Sequence, residues 1–152
     1  MSIIVNGKKI ENIIPNGGGI NRVVANGVTV WEAWKYTTGD INTGVQQQSQ
    51  KGVTIMRGKK PVTVRTRWWW AGEVGSYNPI GNTKFTFHYK DGTTLEYITD
   101  DTYRDVDRDY TLPEKYQKEL DTFDWELRTD VGAGVVRTMT INYPKFVAWY
   151  QK

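Results

Sequence analysis

Apolar and polar residues alternate through residues 61–72, PVTVRTRWWWAG. Successive side chains of a strand point to opposite faces of a sheet, so the pattern predicts one strand with two unlike faces. The face expected to pack in the core carries Val62, Val64, Thr66, Trp68 and Trp70. The opposite face carries Thr63, Arg65, Arg67 and Trp69. This second face is predicted to be a basic surface that ends in an indole.

Residues 84–98 form a second alternating segment, which contains an Asp-Gly turn. A two-residue loop would place Phe87 opposite Glu96 and divide the apolar side chains between two faces. A three-residue loop instead pairs Phe87 with Leu95, with Gly92 in the left-handed position of a bulge. Because one face of the hairpin must be buried, the pattern predicts the three-residue loop.

Shorter segments complete the predicted secondary structure of the larger domain. Further strands are predicted at 53–56, 123–128, 135–143 and 146–150. Residues 36–52 are polar and rich in turn formers, which indicates a linker or long loop with at most one weak edge strand. Thr111 followed by Pro113 and Glu114 matches a helix start, so one short helix is predicted near Pro113–Leu120.

Two Asn-Gly pairs, Asn6-Gly7 and Asn26-Gly27, lie between β-forming residues near the N-terminus. Asn-Gly is the strongest short hairpin signal, because both central residues of a type I′ turn need a positive φ. We therefore predict two hairpins, which form a small module over residues 1–35 ahead of a domain over 36–152. The predicted cross-strand pairs are Val5 with Lys8, Ala25 with Val28, Val23 with Val30, and Arg22 with Trp31.

The segments Val5-Asn6-Gly7-Lys8 and Asn26-Gly27-Val28-Thr29-Val30-Trp31-Glu32 resemble hairpins of tail and baseplate proteins from phages and prophages of Gram-positive bacteria. The resemblance covers only this N-terminal part of the chain, and any β protein with two hairpins could show the same pattern. It implies a virion structural protein that is made in the host cytoplasm without a signal peptide. The implied partners are other virion proteins or further copies of the chain.

Composition narrows the classes of function. The 152 residues are 38% hydrophobic and 24% charged, which is typical of a soluble globular domain with a real core. The absence of cysteine excludes disulfides and thiolate metal sites. The chain has no apolar run long enough for a bilayer and no signal-peptide pattern at its start. A net charge of +3 is too small to predict a nucleic-acid partner.

Candidate catalytic chemistry is sparse. His88 is the only histidine, and the hairpin pattern places it beside Thr86 and Thr94 on the polar face. One histidine in that setting offers little for a nucleophilic triad, and a zinc site needs three or four ligands. A glycosidase needs only two carboxylates, but no spacing among the 17 acidic residues selects a pair. We predict no enzyme, no cofactor and no metal site of a recognised pattern.

Asp105, Asp107 and Asp109 alternate in a loop-like segment, which raises the question of calcium. An EF-hand loop needs Gly at its sixth position and Glu at its twelfth, and this segment has tyrosine at both. Two interpretations remain open. The carboxylates form a calcium site of another type, or they pair with Arg104 and Arg108 in a solvated loop.

The seven Trp and nine Tyr residues favour a binding function. An exposed indole can stack on a sugar ring, and neighbouring polar groups can hold the hydroxyls; an indole flanked by arginine can also hold a base or phosphate. The predicted ligand-binding residues are Trp69, Arg65, Arg67 and Tyr77. The structural alternative is that Trp69 packs under the loop 71–83 or against the N-terminal hairpins.

The predicted fold is all-β: an antiparallel β-sandwich of jelly-roll or galactose-binding-like type with one short helix, preceded by the two-hairpin module. The predicted function is a non-enzymatic tail-associated virion protein that can contact host cell-wall saccharide. One alternative is a carbohydrate-binding module that is not viral. Another is a pure assembly protein whose exposed aromatic side chains are subunit contacts.

Overall fold

The computed structural model describes residues 4–5, 8–9, 12–16, 19–25, 28–44, 47–71, 80–103, 105–130, 139–142 and 144–152. The chain divides into two compact units, Met1–Lys35 with Lys152, and Tyr36–Gln151. Antiparallel strand pairs build both of them.

The N-terminal unit consists of short strands. These are β1 (Ile4–Val5), β2 (Lys8–Lys9), β3 (Asn12–Asn16), β4 (Gly19–Ala25) and β5 (Val28–Glu32). Strands β1 and β2 pair with each other, and β3, β4 and β5 form a three-stranded sheet in that order.

The hairpin registers agree with the prediction near the turns and differ beyond them. Val5 lies opposite Lys8, and Ala25 lies opposite Val28, as predicted. The predicted pairs of Val23 with Val30 and of Arg22 with Trp31 are wrong. The register shifts by one residue, so that Val23 lies opposite Trp31 and Arg22 opposite Glu32. The physical reason is a β-bulge, in which β5 has one more residue than β4 between two successive pairs. A prediction that counts pairs outward from the turn does not include this extra residue.

The second unit contains the remaining strands. These are β6 (Lys35–Asn42), β7 (Ser49–Val53), β8 (Lys60–Thr66), β9 (Trp68–Ala71), β10 (Ile80–Tyr89), β11 (Thr94–Ile98), β12 (Thr102–Tyr103), β13 (Arg108–Thr111), β14 (Leu120–Asp130), β15 (Met139–Asn142) and β16 (Lys145–Gln151).

Two antiparallel sheets form the sandwich. One has the order β11-β10-β14-β7, with β12 also beside β10, and the other has the order β13-β8-β16-β6. The strands of the two sheets interleave along the chain. Numbered from β6 to β16 without β9, β12 and β15, the first, third, sixth and eighth strands form one sheet, and the second, fourth, fifth and seventh form the other. This interleaving is that of a jelly roll, so the predicted sandwich is confirmed.

Aromatic side chains fill the space between the sheets. Phe85 and Phe87 on β10 and Phe123 on β14 are fully buried, and so is Phe146 on β16 of the other sheet. The ring of Phe146 lies 5.0 Å from that of Phe123 and 6.5 Å from those of Phe85 and Phe87, measured between centroids. One ring of the second sheet therefore packs against three rings of the first, which joins the layers.

The predicted strand over residues 61–72 is interrupted. It forms β8 and β9, with Arg67 between them, and β9 pairs with β15 rather than with the sheet. The register of β8 against β16 continues into this ribbon, since Arg65 lies opposite Lys145 and Trp68 opposite Asn142. Pro144 lies at the interruption and has no N–H for the ladder.

The predicted core face of this segment is confirmed for the side chains that the structure describes. Val62, Val64, Thr66 and Trp68 are buried. The Trp68 indole N–H lies 3.3 Å from both the carbonyl oxygen and the hydroxyl of Thr102, so its one polar atom has partners inside the core. The side chain of Trp70 lies outside the described part of the chain.

The predicted hairpin register over residues 84–98 is also confirmed. Phe87 lies opposite Leu95, and His88 lies opposite Thr94 on the polar face. Gly92 has a φ of 83°, the left-handed conformation that the bulge needs. In the same turn, the pKa of Asp91 is lowered to about 2. The largest causes are the hydrogen bonds that its carboxylate accepts from the hydroxyl and the backbone N–H of Thr93, and a hydrogen bond from Lys118 lowers the pKa further.

The linker predicted over residues 36–52 is wrong, because this segment contains most of β6 and β7. Each is the outer strand of its sheet, so most of its side chains face solvent and few need to be apolar. Ile41 and Val53 supply the inward contacts. The strand predicted at 53–56 begins where β7 ends, and its later residues form a turn in which Met56 is buried.

The helix predicted near Pro113–Leu120 is a single 3₁₀ turn at Glu114–Tyr116. Thr111 cannot cap a helix there, because its backbone belongs to β13 and lies opposite Thr63. Leu120 already starts β14. The segments predicted at 123–128 and 146–150 lie within β14 and β16, and the one predicted at 135–143 is described only at β15.

We predict that Phe87→Ala lowers the free energy of unfolding by about 3–5 kcal/mol, because it removes a fully buried ring and leaves a cavity. Urea unfolding followed by circular dichroism measures the change. Ile98→Ala is the matched control on the same hairpin, since Ile98 is 48% exposed. It should cost less than about 1 kcal/mol, and equal losses would contradict the assigned core.

We predict that Gly92→Ala lowers stability by about 1–2 kcal/mol, the cost of holding a side chain in the left-handed region. A Cβ at Gly92 would have no atom within 4 Å, so crowding adds nothing. Gly92→Asn is the matched comparison, because Asn tolerates this conformation better than Ala. Urea unfolding should rank Asn above Ala, and the reverse order would rule out backbone conformation as the cause.

Candidate functional site

Three of the four residues predicted to bind a ligand lie on or between β8 and β9. Arg65 lies on β8, and Arg67 lies between the two strands. Trp69 lies on β9 opposite Ile141, and only its backbone is described. Tyr77 lies outside the described residues. The structure therefore places Arg65 and Arg67 with their surroundings, and the contacts of the two aromatic side chains stay a prediction.

Arg65 forms a bidentate ion pair with Asp109, which lies opposite it on β13. The Arg65 Nε and Nη2 atoms donate to the two carboxylate oxygens at 2.6 and 3.0 Å. The hydrogen bond to Arg65 holds the pKa of Asp109 below its usual value. A ligand that binds the guanidinium of Arg65 must therefore compete with a carboxylate already in place.

Arg67 faces the same acidic segment at longer range. Its guanidinium nitrogens lie 3.8 Å from an oxygen of Asp105 and 3.9 Å from one of Asp107. The backbone N–H of Asp105 donates to the carbonyl of Trp68 at 2.8 Å, which holds the acidic segment beside the strand. The three aspartates thus pair with Arg65 and Arg67 and not with Arg108, one of the two arginines that the solvated-loop interpretation named. The other, Arg104, lies outside the described residues.

Two further contacts lie on this face of the sheet. The hydroxyls of Thr63 and Thr111 lie 3.5 Å apart, and Lys145 Nζ lies 3.4 Å from Asp40 Oδ2. Among the described residues, no group of three or more His, Cys, Asp or Glu side chains is arranged to hold a metal ion. The face formed by β13, β8, β16 and β6 is a network of paired charges, which we call the paired face.

The outer face of the other sheet has a different character. A polar depression of about 300 Å³ lies across β7, β14 and β10. Its lining residues are Ser49, Lys51, Lys84, Thr86, Asp124, Trp125 and Glu126. Sequence reasoning missed this site because β7 was assigned to a linker. The sequence does contain a signal for it, namely the polar residues that alternate with aromatic ones along residues 84–88 and 124–126.

Asp124 on β14 is held by residues of the two neighbouring strands, β7 and β10. Its Oδ1 accepts the backbone N–H of Gly52 at 2.8 Å, and its Oδ2 lies 3.0 Å from Nε2 of His88. Nδ1 of His88 in turn lies 3.2 Å from the Thr94 hydroxyl. Desolvation raises the pKa of Asp124, but the bonds from Gly52 and His88 outweigh it and the pKa falls below its usual value.

The other polar groups of the depression are mostly unpaired within the protein. Lys84 Nζ lies 2.7 Å from Glu96 Oε1. The side chains of Ser49, Lys51, Thr86 and Glu126 form no hydrogen bond or ion pair with any residue that the structure describes. The depression therefore presents hydroxyl, ammonium and carboxylate groups to solvent.

Comparison with known proteins found no match. No protein-family model, no curated protein and no solved structure matches the chain. The described residues include no helix long and apolar enough to cross a membrane.

We predict that Asp109→Asn lowers stability at neutral pH by less than about 1 kcal/mol, because both partners of the ion pair with Arg65 are more than a third exposed. The pKa of Asp109 is lowered in the folded state, so its contribution is complete above about pH 4 and is lost as the pH falls through the lowered pKa. Urea unfolding from pH 7 to 2 measures the difference from wild type.

The matched control for that variant is Asp107→Asn, since the carboxylate of Asp107 lies 3.9 Å from Arg67 and is 58% exposed. It should change stability less than Asp109→Asn does. A difference between Asp109→Asn and wild type that stayed constant down to pH 2 would contradict the assigned pair.

Proposed function

We propose that the protein is a non-enzymatic structural protein of a phage or prophage tail whose jelly-roll unit contacts host cell-wall saccharide. The observation that carries the saccharide contact is the polar depression with unpaired hydroxyl, ammonium and carboxylate groups on a rigid sheet. Hydroxyl-rich ligands need such donors and acceptors together.

Two further features support the proposal. The first is the resemblance of the N-terminal Asn-Gly hairpins to those of tail and baseplate proteins of Gram-positive phages. The second is the jelly-roll topology, an architecture used by both viral capsid and lectin domains. Because a fold hosts many functions, the topology supports the proposal only together with the polar depression.

A pure assembly protein is the second candidate, and exposed apolar side chains favour it. Tyr36 is 58% exposed and Tyr103 is 56% exposed, although apolar side chains at the surface are common in monomers as well. A carbohydrate-binding module that is not viral is the third candidate. Such a module would bind saccharide as the leading proposal states, but it would not be part of a phage particle.

We predict that the purified full chain sediments with purified Gram-positive cell walls in a saturable way. Soluble polysaccharide released from the same walls should compete, because the proposed contact is to saccharide. A pull-down with walls from several Gram-positive species measures binding, and sedimentation velocity records the mass of the protein in solution.

The outcomes separate the three candidates. If the protein binds none of the walls and forms a concentration-dependent oligomer, the saccharide contact is contradicted and the assembly protein is favoured. Wall binding by a chain that antibodies do not detect in prophage particles induced from its own host would favour the non-viral module. Wall binding and detection in particles together support the proposal.

A further inference from the structure

We propose that the polar depression across β7, β14 and β10 is the saccharide site, and that its ligand is a neutral polyhydroxylated glycan rather than a polyanion. This inference rests on the proposed function and names its ligand class. It moves the site away from the predicted residues Arg65, Arg67 and Trp69, which lie on or between β8 of the opposite sheet and the β9 segment that continues it. The fourth predicted residue, Tyr77, lies outside the described residues.

The charge of the depression favours a neutral ligand. Lys51 and Lys84 bring two positive charges, and Asp124 and Glu126 bring two negative charges. A polyanion such as a teichoic acid would meet both carboxylates as it approached the lysines, and like charges disfavour such a complex. A sugar diol, in contrast, can donate to a carboxylate and accept from an ammonium at the same time.

The positions of the polar groups are set by rigid elements. Thr86 and Lys84 lie on β10, and Asp124 and Glu126 lie on β14, the two central strands of the sheet. The two strands pair directly, with Lys84 opposite Glu126 and Thr86 opposite Asp124. A site built on paired strands loses little conformational entropy when it binds, which favours affinity.

The buried side of the depression is held in place as well. Trp125 is 1% exposed, and its indole N–H donates to the side-chain carbonyl of Gln50 on β7 at 3.2 Å. The bonds from Gly52 and His88 to Asp124 fix the neighbouring carboxylate. A volume of about 300 Å³ is at the lower end of the range for small-molecule sites, which suits a short stretch of glycan.

Apolar surface for a sugar ring lies on the same face. Ile98 lies opposite Lys84 on β11 and is 48% exposed, so it adjoins the depression. Tyr103 lies opposite Ile80, farther along the same edge of β10, and is also exposed. The C–H face of a pyranose can pack on such side chains while its hydroxyls bind the polar groups.

The test is isothermal titration calorimetry with the neutral polysaccharide fraction released from Gram-positive cell walls, and separately with glycerol-phosphate teichoic acid. The variants are Lys51→Ala and Glu126→Ala, whose side chains are exposed and donate or accept no described hydrogen bond, so folding should be unaffected. Each should weaken binding of the neutral fraction about tenfold or more, the size of one hydrogen bond to a charged group. Glu126→Gln, which keeps an acceptor, should weaken it less than Glu126→Ala.

Asp107→Ala is the matched control for Glu126→Ala, because it removes an exposed carboxylate from the paired face. It should leave the affinity unchanged, and so should Trp69→Ala. Circular dichroism and urea unfolding confirm that each variant is folded.

The contrary results are distinct. A wild type that binds the neutral fraction with affinity unchanged by Lys51→Ala and Glu126→Ala overturns the site and leaves the proposed function standing. Loss on Trp69→Ala alone assigns the ligand to β9 instead. Tighter binding of teichoic acid than of the neutral fraction overturns the ligand class. A wild type that binds no wall and neither probe overturns the saccharide contact itself.

Discussion

The contact between Phe146 and the rings of Phe85, Phe87 and Phe123 is the interaction on which the jelly roll depends. It joins a strand of one sheet to the two central strands of the other, with the closest rings 5.0 Å apart. Because side chains alternate along a strand, placing these rings inward places the intervening residues outward. The polar outer face that carries the depression is thus a direct consequence of how the core is packed.

The parts of the fold that the sequence predicts are those in which burial permits one register. In the hairpin over residues 84–98, only the three-residue loop puts Phe87 and Leu95 on one face, and the structure has that register. The alternation before Trp68 likewise leaves one choice of core face. Both cases rest on large side chains that cannot be moved to solvent without a high cost.

The parts that sequence reasoning missed are governed by pairing between distant segments. β6 and β7 need few apolar residues because each lies at the edge of a sheet, so nothing local distinguishes them from a linker. Asp109 reaches Arg65 from 44 residues farther along the chain, and the depression needs side chains from three strands. Such partners become visible only when the strand order is known.

The two outer faces of the sandwich therefore differ in what they can offer a ligand. On the paired face, a ligand must displace Asp109 from Arg65, so part of its binding free energy is spent on breaking a bidentate hydrogen bond. In the depression, Thr86 and Glu126 have no described hydrogen-bond or ion-pair partner that a ligand must displace. Charged side chains are abundant on both faces, and their state of pairing rather than their number favours the depression as the binding surface.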